Sequence, residues 1–107
     1  MDIKVENNPV AGTYDAIVDG KVVGMVVCER ANHRVIVLHT IIEPEYRGRG
    51  IGNVLVRETL DDLLAQGLTL TNFCGFITKF IASNPEYARV LDTVRPGVAA
   101  AADARRR

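Results

Sequence analysis

The 107-residue chain carries no surplus of charge of either sign, with 13 lysines and arginines against 13 aspartates and glutamates. This balance argues against a protein whose main task is to neutralise nucleic-acid phosphates or an anionic membrane, since such binding draws on a net cationic surface. Any anion site must therefore be local. Long apolar runs are missing as well: those present, such as residues 35–38, stop far short of the ~20 residues a membrane helix needs. Cysteine is scarce. Cys28 and Cys74 could form one disulfide at most, and in a reducing compartment they are expected to be free thiols. No Cys/His spacing suits zinc, and no carboxylate cluster suits a metal or a glycosidase pair. The stretch Met1-Asp2-Ile3-Lys4-Val5-Glu6 lacks the charged-then-apolar pattern of a secretory signal, so the expected location is the cytoplasm.

A chain of this length has room for one domain. Its first half has the two-residue period of strands. Residues 12–18 place Tyr14, Ala16 and Val18 on one parity, Asp19-Gly20 follows, and residues 21–28 are rich in valine. Asp-Gly between two such runs signals a hairpin, because both turn residues need positive φ. Residues 1–6, with Ile3 and Val5 on one face, read as a shorter edge strand that a partner could cover. After a break at residues 29–32, residues 33–42 carry Val35, Val37, His39 and Ile41 on one parity and Ile36, Leu38 and Ile42 on the other. Apolar residues on both parities predict a central strand covered on both faces.

The period then changes. Val56, Leu60, Leu63 and Leu64 repeat at helical spacing, with Arg57, Glu58, Asp61, Asp62 and Gln66 opposite, and Gly67 is the expected stop. Residues 68–70 form a short strand, parallel to 33–42 if the helix is a crossover. Residues 76–83 read as a helix and Pro85 opens another through about Leu91, with Asn84 as its N-cap. Phe73, Phe76 and Phe80 read as core. The expected organisation is one domain over residues 1–95 and a frayed tail over 96–107, closing in Arg105-Arg106-Arg107.

Most of the chemical content lies in Arg47-Gly48-Arg49-Gly50-Ile51-Gly52, which opens the first helix. Alternate glycines remove Cβ atoms and let successive N–H groups point at one oxyanion. The helix start adds unpaired donors and the positive end of its dipole. Two arginines can supply charge-assisted bonds, so a diphosphate is the natural occupant. A nucleoside-triphosphate loop would need Gly-Lys-Ser/Thr where Gly52-Asn53 stands, and the dinucleotide fingerprint needs G-x-G-x-x-G within a parallel unit.

Arg47-x-x-Gly50-x-Gly52 after a meander resembles the acyl-coenzyme A diphosphate motif of the GNAT superfamily of N-acetyltransferases. With His39-Thr40, Cys74 and Pro85-Glu86-Tyr87, residues 8–92 are similar to its minimal, single-domain N-acetyltransferase domain-containing subgroup. Two positions depart from that pattern: Asn84 stands where histidine is usual, and Gly75 follows Cys74 where proline is expected. The resemblance implies an α/β fold of α+β type, with helices packed on a mixed, splayed sheet that has an antiparallel N-terminal meander. It implies acetyl-CoA as cosubstrate and a primary amine as acceptor, with no metal. Ile41 and Ile42 would offer backbone groups to the pantetheine and thioester, and Arg47, Gly48, Arg49, Gly50, Ile51 and Gly52 would hold the diphosphate.

Acyl transfer to an amine needs a neutral nucleophile, a polarised carbonyl, and either a proton for the departing thiolate or a thiol that accepts the acyl group. His39, near the end of the long strand, could act as base or could be a histidine satisfied within the sheet. His33 reads as surface. Cys74 precedes a helix and could take the acyl group, or could be a small buried hydrophobe. If the sheet splays, Cys74 and His39 would face one cofactor. Tyr87 could protonate a leaving thiolate or simply pack; Cys28 reads as structural. The expected function is acetyl-CoA-dependent N-acetyltransfer, with a coenzyme A-binding module lacking robust catalysis as the alternative. A nucleic-acid role through the three terminal arginines is the weakest reading.

Overall fold

The computed structural model describes residues 1–98. Five strands, β1 (Lys4–Asn8), β2 (Thr13–Val18), β3 (Lys21–Ala31), β4 (Arg34–Ile42) and β5 (Thr69–Asn72), form one sheet in chain order. β1 to β4 are an antiparallel meander, and β5 runs parallel to β4. Helix α1 (Ile51–Ala65) joins the parallel pair, and α2 (Gly75–Ser83) leads into a 3-10 helix over Pro85–Val90. No helix among the described residues is long and apolar enough to cross a membrane. The expected mixed sheet and helical elements are present.

Local chemistry sets the boundaries. Asp19 and Gly20 both take positive φ, 51° and 77°, and close the β2–β3 hairpin with Val18 opposite Lys21. The break expected at 29–32 is shifted and shorter: β3 runs on to Ala31, and Asn32, at φ 59°, and His33 turn the chain into β4 at Arg34. The edge strand lies at 4–8 rather than 1–6. Gly67, φ 70°, stops α1 as expected; its N–H reaches the Leu64 carbonyl and that of Leu68 reaches Leu63, the paired bonds that satisfy a helix C-terminus.

α1 and α2 pack on the same face of the sheet. Tyr14, Val26 and Thr40 are directly paired across β2, β3 and β4 and so share a face. From that face Tyr14 donates to Asp62 of α1 at 2.5 Å, and Thr40 touches Cys74 at the start of α2. Burial, and then the hydrogen bond to Asp62, raises the Tyr14 phenol above its ordinary pKa. Fully buried Val23, Val26, Val37 and Leu70 meet Leu55, Val56, Leu60 and Leu63 to form the core. Cys28, free and half-buried, belongs to its margin, and burial pushes its thiol up to about 12.

The cover expected on both faces of β4 is one-sided beyond Val37. Cys28 pairs with Val37 while Val27 pairs with His39, so Leu38 is an extra residue in β4. A bulge of this kind reverses the alternation of side chains. Val37 is buried, whereas His39 is exposed and Ile41 is 45% exposed. His39 therefore does not share the face of Val35 and Val37.

The parallel pairing is short. It runs from Arg34–Thr69 to Val37–Asn72, and the last bond is Phe73 N–H to the Val37 carbonyl at 2.9 Å. β4 continues to Ile42 while the other chain turns into α2, so the two strands part. On the outer edge of β5, Asp92 N–H bonds the Leu70 carbonyl at 2.8 Å and Asn72 N–H bonds that of Pro96 at 3.0 Å. Pro96 and Gly97, assigned at the sequence level to the tail, sit against β5; residues 99–107, with the three arginines, lie outside the described residues.

Candidate active site

The chain leaves β4 through a 3-10 turn at Pro44–Tyr46 and reaches α1 by way of Arg47 to Gly50. Gly48 and Gly50 take φ 77° and 80°, the left-handed conformation that a side chain disfavours. Gly50 is the N-cap residue, so no side chain caps α1, and its first turn holds no acidic residue. The first-turn N–H groups are thus free of side-chain partners and point where the dipole is positive. Gly52 serves another purpose. A Cβ there would lie 2.6 Å from Cζ of Phe76, so its lack of a side chain lets α2 close on α1.

Arg47 Nε donates to the Ile42 carbonyl at 3.1 Å and ties the loop to the end of β4. Arg49 stacks on the Tyr46 ring at 5.4 Å, with Lys21 at 5.7 Å from the same ring and paired to Glu43 at 3.2 Å. A cleft of about 490 Å³ opens between the end of β4 (Thr40, Ile41, Ile42), the loop and the first turn of α1, with Phe76 as a wall. Of the residues expected to bind the cofactor, Ile41, Ile42, Arg47, Gly48, Gly50, Ile51 and Gly52 line it and Arg49 does not. Cleft, parted strands and open helix start meet at one place.

The candidate catalytic groups are less gathered. Cys74 is the N-cap residue of α2, 4% exposed, with its N–H on Asn72 Oδ1 at 2.9 Å. Its Sγ lies 3.3 Å from Oγ1 of Thr40, which lines the cleft. His39, one residue away along β4, points to the opposite face, and no hydrogen bond among the described residues joins it to Cys74. The expectation that both face one cofactor is not met, because the bulge at Leu38 puts Thr40 where alternation alone would put His39. Tyr87 lies outside the cleft lining. Its ring packs edge-on against Phe80 at 5.3 Å, and its hydroxyl donates to Asp61 at 2.7 Å, which raises its pKa.

The sequence pattern of the GCN5-related N-acetyl-transferase family matches residues 13–90, a stretch that includes the loop, the cleft and Cys74. The chain belongs to this family. Among solved structures, a GCN5-like putative N-acetyltransferase from Staphylococcus aureus shares the fold with a TM-score of 0.61 at 15% identity, covering 81% of this chain and 85% of that one. The ribosomal-protein-S18-alanine N-acetyltransferase from Escherichia coli aligns with a TM-score of 0.58 at 16% identity, over 67% of this chain and 50% of that one. A curated relative, Protein NATD1 of Bos taurus, is 34% identical over 62 residues, 57% of this chain. The matched stretch spans only about half, 55%, of that relative's length.

Several residues around this cleft escape sequence reasoning. Thr40 becomes the neighbour of Cys74 only through the bulge, which alternation does not reveal. Asn72 is fully buried, accepting from Cys74 N–H and donating to Thr78 Oγ1 at 3.2 Å; an asparagine two residues before a helix is a weak signal by itself. Phe73 and Phe76, read as core, are 50% and 39% exposed, and only Phe80 of the three is buried. Their spacing is helical, but α2 begins at Gly75 and buries Ile77 and Phe80. Asn84 precedes the 3-10 helix but does not cap it: Nδ2 donates to the Phe80 carbonyl and Oδ1 accepts from Arg57.

Proposed function

We propose that this GNAT protein transfers an acetyl group from acetyl-CoA to a primary amine, with the coenzyme diphosphate held at the start of α1. The observation that carries this reading is an uncapped, acid-free helix start that opens onto the point where β4 and β5 part. The residues fit the group: positive-φ glycines expose the backbone, Arg47 faces the cleft, and the cleft volume suits a small molecule. Peptide groups of β4 beyond Val37 lack β5 partners and would hold the pantetheine arm.

When bound, acetyl-CoA supplies an activated acyl thioester. In direct transfer, His39 is the proposed base, taking the ammonium proton on the open face of β4 while the helix start and Arg47 hold the anionic end. In two-step transfer, the Cys74 thiol would take the acyl group as a thioester while its proton goes to the departing coenzyme A thiolate, and the amine would then take the acyl group and restore the thiol. The second reading, a coenzyme-binding module without robust catalysis, is favoured by one observation: among the described residues, no Asp, Glu or His lines the cleft.

Titration calorimetry with acetyl-CoA tests binding, and absence of binding at millimolar ligand ends both readings. Turnover on an amine panel that disappears in His39→Ala or Cys74→Ala while binding survives supports the enzyme; binding with no turnover supports the module. With isotopically labelled acetyl-CoA, mass spectrometry of the protein separates the routes, since only the two-step route labels Cys74.

A further inference from the structure

A second groove of about 500 Å³ runs between α1 and α2 and shares Asn53 and Phe76 with the cleft at the helix start. Among the described residues, its charged lining is Arg57 and Lys79, with no acidic residue. Arg57 is held in place. Its guanidinium lies over the rings of Phe80 and Tyr87, at 5.2 and 5.6 Å, and donates to Asn84 Oδ1 and the Tyr87 hydroxyl, each at 3.4 Å. Among the described residues, neither Arg57 nor Lys79 forms an ion pair. A guanidinium carries five donors, so most of Arg57's remain for a ligand, and the aromatic support fixes its direction beforehand.

Asn53 and Arg57 are one turn apart on one face of α1, and helical side chains lean toward the N-terminus. Arg57 stands about 9 Å from the helix start along the axis. Two anion-attracting positions thus lie in adjacent grooves that share Asn53 and Phe76, the first a row of backbone donors and the second a pair of cations.

We infer that Arg57 and Lys79 form a phosphate-monoester site that takes the ribose 3′-phosphate of coenzyme A. The inference rests on the coenzyme reading above. In coenzyme A one ribose carries the diphosphate at its 5′ position and a monoester phosphate at its 3′ position, so a ligand anchored at the helix start presents a second, separate anion nearby. A monoester dianion suits a fixed fork plus a mobile ammonium. The Asn84-Pro85-Glu86-Tyr87 segment then has a function in recognition: Asn84 and Tyr87 are positioning residues for Arg57.

The test is calorimetric affinity for coenzyme A and for 3′-dephospho-coenzyme A at one fixed ionic strength, because exposed charge contacts weaken with salt. Wild-type protein should prefer coenzyme A by about tenfold or more, the effect of one or two charge-assisted contacts. Arg57→Gln and Lys79→Ala should each shrink that preference toward unity by weakening coenzyme A alone. Lys79 is exposed, so its variant remains informative if Arg57→Gln fails to fold. Equal wild-type affinity for both ligands, or variants that weaken both in parallel, would overturn the inference and leave the coenzyme reading intact. Wild-type protein that binds neither ligand overturns the coenzyme reading, and the inference with it.

Discussion

Gly50 and Gly52 stand two residues apart in one motif for different reasons, and alanine substitution separates them. At Gly50 a Cβ meets nothing within 4 Å, but φ is 80°, so Gly50→Ala carries left-handed strain alone, about 1–2 kcal/mol. In a domain of this size that lowers Tm by roughly 5–15 °C. At Gly52 the backbone is helical and the difficulty is the Phe76 ring, 2.6 Å from the new Cβ. Overpacking costs about 1–3 kcal/mol, toward the low end here because the partly exposed ring can swing. Alanine's helix preference offsets up to ~1 kcal/mol of this. Gly52→Ala should therefore stay within about 1 kcal/mol of wild type in urea unfolding, yet displace the ring that walls the cleft. Repeating it in a Phe76→Ala background isolates the contact: with the ring gone, the same substitution should stabilise by up to ~1 kcal/mol. An effect of Gly52→Ala that is the same with and without the Phe76 ring would refute the close-approach account. Gly50→Ala should be destabilising in both backgrounds.

Asn72→Ala strands the Cys74 N–H in the interior and should cost about 2–4 kcal/mol by denaturant midpoint with an unchanged m-value; a loss below about 1 kcal/mol would contradict its role as a buried hub. Cys28 holds its proton more tightly folded than unfolded, so its contribution to stability is intact below its ordinary pKa of 9.0 and declines as pH climbs toward about 12. Cys28→Ala should flatten the alkaline limb of Tm against pH, and an unchanged limb would refute the assignment. Asp92 has the opposite sign. Bonds from the Thr69 hydroxyl and the Arg95 and Val94 N–H groups hold its carboxyl below 3.8, so the contribution is present above that value and is lost as pH falls through the folded pKa. Amide-exchange protection of the Asp92 N–H should weaken in acid in the wild type and start weak in Asp92→Ala; acid-insensitive protection in the wild type would contradict this.

Most of the fold was legible because its signals are local. Asp19-Gly20, Gly67 and the spacing of Val56, Leu60 and Leu63 act within a few residues, where dihedral preference and period decide the outcome. Boundary shifts at Ala31 and Asn8 reflect pairing: once a neighbouring strand offers partners, the chain extends to meet them. The loop at Arg47 to Gly52 was readable for the same local reason, and even the contact of Arg49 with the Tyr46 ring joins residues only three apart.

The remaining features depend on residues far apart in sequence. One extra residue at Leu38, visible only when β3 and β4 are paired, moves His39 to the open face and sets Thr40 beside Cys74. Phe76 becomes a cleft wall because Gly52 of another helix leaves room for it, and Arg57 acquires its aromatic support from a segment 30 residues away. By itself the sequence determined the order and type of the elements and the open, glycine-rich start of α1, since both follow from backbone conformation over a few residues. Which side chains face one another across the cleft was decided only in three dimensions, because register, bulges and interhelical contacts exist only once distant segments pack.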